Sequence, residues 1–258
     1  MLRYRVIPLV LLDGYSVVKT IQFDIRRNQG NPIVVSRIYN SRNVDELMLL
    51  DIDASKENRG IDLHTVDAVS SECFMPLTVG GGLRTCEDIT KTLKAGADKV
   101  SLNTIIFDQP KFLKKAVSVF GSQCIVASID IKKNQLGEWE LFSHSDRKFN
   151  LSLDEMLNLL IKSDVGEILV NSVDLDGMME GYDLDLINHV SSSTNIPVIA
   201  AGGASGPMDC SKAVMKGASA VSAASIFHFT SHTPRTCKED MDKHGIPTRL
   251  LDIEDTRA

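Results

Sequence analysis

The sequence lacks a basic excess: 28 Lys and Arg stand against 34 Asp and Glu, a formal net charge of −6 over 258 residues. Without a positive face, the phosphate backbone of a nucleic acid has no electrostatic partner. Cysteine is sparse and unpatterned. Cys73, Cys86, Cys124, Cys210 and Cys237 are odd in number and form no C-x-x-C pair, which argues against a thiolate metal site or a disulfide framework. Reduced thiols in a cytoplasmic protein are the plain expectation. Long apolar runs are missing too. The opening MLRYRVIPLVLLDGY holds a run of only about seven apolar residues without a small-residue cleavage site, too short to span a bilayer or to serve as a leader. No glycine fingerprint follows the first apolar run, which disfavours a dinucleotide-binding sheet, and no cofactor is expected. There is no linker or low-complexity tract, so one domain over 1–258 is the simplest organisation.

What the sequence does contain is a repeat. DELMLLDIDASKENRGIDL, FMPLTVGGGLRT and LKAGADKVSLNT recur as GEILVNSVDLDGMMEGYDL, NIPVIAAGGASG and VMKGASAVSAAS. An offset of 121 residues carries Glu46 to Glu167, Asp53 to Asp174, Gly60 to Gly181, Pro76 to Pro197, Gly81-Gly82 to Gly202-Gly203 and Thr104 to Ser225 without a gap. Register held over about sixty residues means two structural copies, here about 45–110 and 166–230. Each copy reads as strand, helix, strand, helix, strand, with strands apolar on both faces, the pattern of a buried parallel sheet. Roughly eight such strands in a chain of this length predict a (β/α)8 barrel of the TIM type, assembled from two similar half-barrels.

The expected elements follow the same logic. A first strand runs from Arg5 to Leu11, and Pro8 inside it predicts a bulge or strand end, because proline removes a ladder donor. Val17 to Asn31 reads as a long polar loop, and Asn31-Pro32 as the N-cap and first residue of a helix reaching about Asn43. Thr85 with Asp88, and Ser152 with Glu155, read as capping boxes. Between Lys132 and Phe149, alternation around Leu136-Gly137 predicts a small hairpin carrying Trp139.

In a barrel of this type the chemistry lies at the C-terminal ends of the strands. Gly81 and Gly82 with Asn103 and Thr104, and Gly202 and Gly203 with Ala224 and Ser225, form two matching strand-end sets. Glycine turns let backbone N–H groups approach an anion, so the pair suits a small molecule phosphorylated at both ends. Asp130, in ASIDIKK at a strand tip, is the acid or base candidate. Asp51, Asp53, Asp174 and Asp176 are duplicated acidic strand ends, several of them suited to holding loops through backbone N–H groups. Lys19, in the expected first loop, could fold over an anionic ligand or stay solvated. At the opposite mouth, Arg5, Glu46, Lys99 and Glu167 begin strands one, two, four and six. Alternate strands share a layer, so these charges are placed to converge into a ring across the barrel axis.

DIDAS, VGGGLRT, GADKVSLNT, FGSQ, ASID, GEILVNSVDLDG, GYD and AASIFHF together resemble the cyclase subunit family of imidazole glycerol phosphate synthase, from Leu2 to about Leu250. The resemblance implies a glutaminase partner whose ammonia enters at the N-terminal face through a charged gate. Arg5, Glu46, Lys99 and Glu167 match that gate, and Asp98 matches an acidic docking position. It also implies two catalytic aspartates, one after strand one and one after strand five. Asp130 matches the second; Leu11 occupies the place of the first, and Asp13 lies two residues on. Asp53, Asn171 and Met178 stand where the family carries threonines. With these departures, RVIPLVLLDGYSVVKT, DELMLLDIDAS and SECFMPLTVGGGLRT are similar to a paralogous branch associated with acetamidino modification of surface-polysaccharide sugars. There the barrel and its glutaminase are expected to feed ammonia to a separate ATP-dependent sugar amidotransferase. A working histidine-pathway cyclase and a non-catalytic partner-binding barrel are the alternatives.

Overall fold

The computed structural model describes residues 3–42, 44–143 and 151–250. In chain order its strands are β1 (Arg5–Leu12), β2 (Val17–Ile21), β3 (Ile25–Gly30), β4 (Leu47–Asp51), β5 (Leu77–Gly80), β6 (Lys99–Leu102), β7 (Ile125–Lys133), β8 (Trp139–Phe142), β9 (Glu167–Ser172), β10 (Val198–Ala201) and β11 (Ala220–Ala223). Its helices are α1 (Pro32–Ser41), α2 (Leu63–Ser70), α3 (Cys86–Lys94), α4 (Thr104–Asp108), α5 (Pro110–Phe120), α6 (Leu153–Ser163), α7 (Leu184–Ser193), α8 (Pro207–Met215), α9 (Ile226–Phe229) and α10 (Pro234–Lys243). Strands β1, β4, β5, β6, β7, β9, β10 and β11 pair in parallel in that order, and β11 returns to β1, with Arg5 beside Ala220 and Pro8 beside Ala223. The sheet is therefore closed: a (β/α)8 barrel, not an open doubly wound sheet.

Strand parity builds two apolar layers from each strand. In β1, Val6, Val10 and Leu12 pack outward against the helices, while Ile7, Leu9 and Leu11 point into the bore with Met48, Val126, Leu169 and Ile199. Burying each such side chain stabilises the fold by about 1.5–3 kcal/mol.

The repeat recurs as hydrogen bonds. Asp62 and Asp183 cap α2 and α7. The hydroxyls of Ser70 and Ser191 donate to the carbonyls of Ala95 and Lys216. Asp88 and Asp209 accept the N–H groups of Arg84 and Ser205.

Three expectations need correction. Pro8 causes neither bulge nor strand end, because β1 pairs with β11 through Pro8 and with β4 from Leu9 onward. The proline thus sits where the strand changes partners. Val17 to Gly30 is not a loop but the hairpin β2–β3, antiparallel to the end of β1. The short helices α4 and α9 were not expected. Helix α1 starts at the expected cap, with Asn31 accepting from Ile33 N, and ends at Ser41; Asn43 lies outside the described residues. Both expected capping boxes are present. The hairpin around Leu136 is formed by β7 and β8, while 144–149 of its expected span lie outside the described residues. So do 1–2 and 251–258 of the expected single domain.

At Gly203, φ is +102° and an added Cβ would lie 2.1 Å from the Gly181 carbonyl oxygen. Gly203→Ala should lower stability by about 2 kcal/mol or more in urea denaturation. Gly60→Ala, where a Cβ meets nothing within 4 Å, should stay within about 0.5 kcal/mol of the parent.

Candidate functional site

The C-terminal mouth holds a cavity of about 180 Å³, lined by strand ends and by the β2–β3 hairpin. Gly81, Gly82, Asn103, Thr104, Asp51 and Asp130 all face it. A neighbouring cavity of about 20 Å³ is lined by Gly202, Gly203, Ala224 and Ser225. Asp176 lines both. The two glycine turns adopt positive φ, +129° and +65° at Gly81 and Gly82 and +83° and +102° at Gly202 and Gly203. These values favour glycine and bring the backbone close to the cavities.

Asp130 sits deep in the larger cavity. Asn103 Nδ2 donates to its Oδ2 at 2.9 Å and Asn171 Nδ2 to its Oδ1 at 3.4 Å. Burial pushes its carboxyl up to about 6, aided by the charge of Asp176 and opposed by the two amides. Asp176 accepts the Thr20 hydroxyl at 2.6 Å. Burial raises it to about 6 as well, against the Thr20 hydrogen bond and the Lys19 charge. Two carboxyls thus titrate near neutrality in one apolar mouth, the condition for moving protons at physiological pH.

Several expected residues take other places. Lys19 does not lie on a loop over the ligand. It sits in β2, only 2% exposed, and its Nζ donates to the Leu9 carbonyl at 2.7 Å. Burial lowers its pKa to about 7, with Asp176 partly opposing. It lines neither cavity, and neither does Asp13, which is held in the turn after β1 by the bond from its N–H to Ser16 O. Leu11, 6% exposed, is part of the apolar wall. Asp51 fixes its own loop, accepting the N–H groups of Asp53 and Ala54 and the Arg59 guanidinium at 2.5 and 3.1 Å. Arg26 grips Asp53 through both guanidinium Nη atoms, one of them at 2.6 Å. Asp174 turns away to accept the Lys133 N–H. Sequence reasoning missed Thr20, Arg26 and Arg59.

At the opposite end the four expected charges close a ring. Arg5 bridges Glu46 at 2.6 Å and also pairs with Glu167; Lys99 bridges Glu46 at 3.0 Å and Glu167 at 2.7 Å. Thr78 Oγ1 donates to Glu46 Oε1 at 2.7 Å. Burial would raise the Glu167 carboxyl, but Arg5 and Lys99 outweigh it and hold it below its ordinary value. Above the ring the bore is lined by Ile7, Met48, Val126, Leu169 and Ala220. Asp98 lies exposed beside Lys99, its Oδ2 accepting the Leu77 N–H at 2.8 Å. Among the described residues no group of His, Cys, Asp and Glu could hold a metal ion, and no helix is long and apolar enough to cross a membrane.

The raised carboxyls make stability depend on pH. A folded pKa above the unfolded one means folding favours the protonated form, so this contribution is whole below about pH 4 and is lost as pH rises through about 6. Asp130→Asn cannot ionise. Its stability relative to the parent should therefore rise by about 2 kcal/mol between about pH 4 and pH 7. Urea midpoints at both pH values check this; parallel profiles would show that the Asp130 carboxyl is not shifted.

Residues 5–233 match the family model described as "Histidine biosynthesis protein". A protein of Campylobacter jejuni subsp. jejuni serotype O:2, provisionally named imidazole glycerol phosphate synthase subunit hisF2, is 45% identical over 254 residues, covering 97% of this chain and 100% of its own length. The chain belongs to the histidine biosynthesis protein family, and within it to the cyclase-subunit family of imidazole glycerol phosphate synthase.

Proposed function

We propose that this chain is the barrel subunit of a glutamine amidotransferase, receiving ammonia from a glutaminase partner at its N-terminal face and passing it along the barrel axis. The observation that carries this reading is the closed ring of Arg5, Glu46, Lys99 and Glu167 beneath an apolar bore that leads toward Asp130. A charged ring bars ions and bulk water, because desolvating them there is costly. A small neutral molecule crosses the apolar segment at far lower cost. Asp98, exposed at the same face, suits the rim of a partner contact, where charge sets association rate and register.

The ammonia is destined for a separate ATP-dependent sugar amidotransferase in acetamidino modification of surface polysaccharide, not for ring closure in histidine synthesis. Leu11 supports this: it cannot transfer a proton, and Asp13 does not reach the cavity. Asp130 therefore lacks the partner aspartate that the resemblance calls for at that strand end.

Three experiments test the reading. The gene should fail to restore growth without histidine in a strain lacking the histidine-pathway cyclase, and its deletion should remove acetamidino groups from surface sugars by mass spectrometry. Growth without histidine would reverse the assignment. In the reconstituted system Lys99→Ala should uncouple transfer, so that glutamine consumed per product rises by about tenfold. An unchanged ratio would point to a barrel that only binds its partner.

A further inference from the structure

Phe74 is the most exposed large apolar side chain among the described residues, with 89% of its surface in water. It lies on the connection from α2 to β5, and so at the N-terminal face of the barrel, on the side of the charged ring. The fold offers the ring of Phe74 no place. Met75 takes the buried position beside it and Leu77 the next, while Phe74 and Pro76 stay outside. A lone exposed apolar residue is ordinary; this one is set apart by how firmly it is held and by what it stands next to.

Its connection is fastened along its length. Asn40 Oδ1, near the end of α1, accepts the Phe74 N–H at 3.1 Å. The Cys73 N–H donates to the Ser70 carbonyl at 3.1 Å. The Leu47 N–H, one residue from Glu46, donates to the Pro76 carbonyl at 2.9 Å. The Leu77 N–H donates to Asp98 Oδ2 at 2.8 Å. The aromatic is therefore presented on backbone that is already ordered, which spares a partner the entropy of ordering it.

Position decides which partner. Thr78, four residues on, donates its hydroxyl to Glu46 in the ring. Four residues of chain reach about 14 Å at most. A standard interface of about 800 Å² per partner has a radius of about 16 Å if it is round. A subunit of that footprint seated over the ring therefore covers Phe74.

We propose that Phe74 is the aromatic anchor by which this chain binds its glutaminase partner, entering an apolar socket on that subunit with the exposed Asp98 at the rim. The inference rests on the reading of the barrel as an ammonia conduit and names the residue that holds the two subunits together over the entrance. Buried aromatics of this kind carry a disproportionate share of binding energy. The ring and the anchor have separate duties: the ring admits ammonia, and Phe74 keeps its source in place. A second copy of this chain is the competing occupant. It would stop the entrance without supplying ammonia, and two chains of net charge −6 repel each other.

The test uses the full chain and the glutaminase of the same organism that drives transfer in the reconstituted system. Phe74→Ala should weaken the affinity of the pair by about thirtyfold or more in titration calorimetry, with Phe74→Leu between it and the parent. The urea midpoint of the isolated Phe74→Ala chain should match the parent, because the fold buries almost none of this side chain. At saturating glutaminase, glutamine consumed per product should also stay at the parental ratio, in contrast to Lys99→Ala. Tyr15→Ala, 76% exposed in the turn after β1 at the opposite face, should leave the affinity unchanged. The proposal is overturned by a Phe74→Ala affinity within about twofold of the parent, by an equal loss in Tyr15→Ala, or by sedimentation showing that Phe74 instead holds two copies of this chain together. A parental affinity in Phe74→Ala beside a wild-type chain that binds leaves the conduit reading standing; a wild-type chain that binds no glutaminase removes both.

Discussion

The ring of Arg5, Glu46, Lys99 and Glu167 ties four strand starts together across the barrel axis. The repeat delivers two carboxylates to one end of a closed bore, where alone they would repel each other in a poorly solvated space. Arg5 and Lys99 stand between them, each bridging both acids. Removing one member leaves a partly buried charge uncompensated, a loss of about 3–5 kcal/mol where such pairs are broken. The ring also fixes register. Its members open β1, β6 and β9 or immediately precede β4, so a one-residue slip in any of these strands would turn a charge into the outer apolar layer.

From that floor the bore passes from charge to hydrocarbon to carboxylate. The apolar middle excludes ions, and the same apolarity makes Asp130 and Asp176 costly to ionise. Exclusion of water below and raised carboxyls above are thus one property seen at two depths. The hairpin β2–β3 contributes to both. It buries Val18 in the bore cluster, offers Thr20 to Asp176, and carries Arg26 to Asp53 at the rim.

Much of this was legible in the sequence because it depends on period and position. Parallel strands apolar on both faces, a gapless repeat and strand parity are enough to reach a closed barrel, the two glycine turns and the charged ring. The hairpin was not legible, because RRNQG in β3 is almost wholly exposed and an exposed edge strand has no apolar alternation to betray it. Misplacing that segment misplaced Lys19 with it. A lysine in a presumed loop is expected in water, and only the tertiary fold brings it under the Leu9 carbonyl. Arg26 and Arg59 were missed because an arginine's partner is chosen across the fold rather than along the chain.

The internal repeat also separates scaffold from chemistry, since the two halves began as one pattern of contacts. Where they still agree in residue and in hydrogen bond, as at Asp62 and Asp183, Ser70 and Ser191, or Asp88 and Asp209, the residues cap helices and tie loops. Some of the positions where they differ lie at the mouth. Leu50 faces Asn171 across the offset, Asp51 corresponds to Ser172, and Asn103 to Ala224. Even the retained pair Asp53 and Asp174 has parted in use, one gripping Arg26 at the rim and the other anchoring the β7 backbone. A folding requirement acts equally on both copies, so it preserves symmetry. A single asymmetric ligand does not, and around Asp130 the halves differ, with donors turned toward its carboxylate from Asn103 on one half and Asn171 on the other.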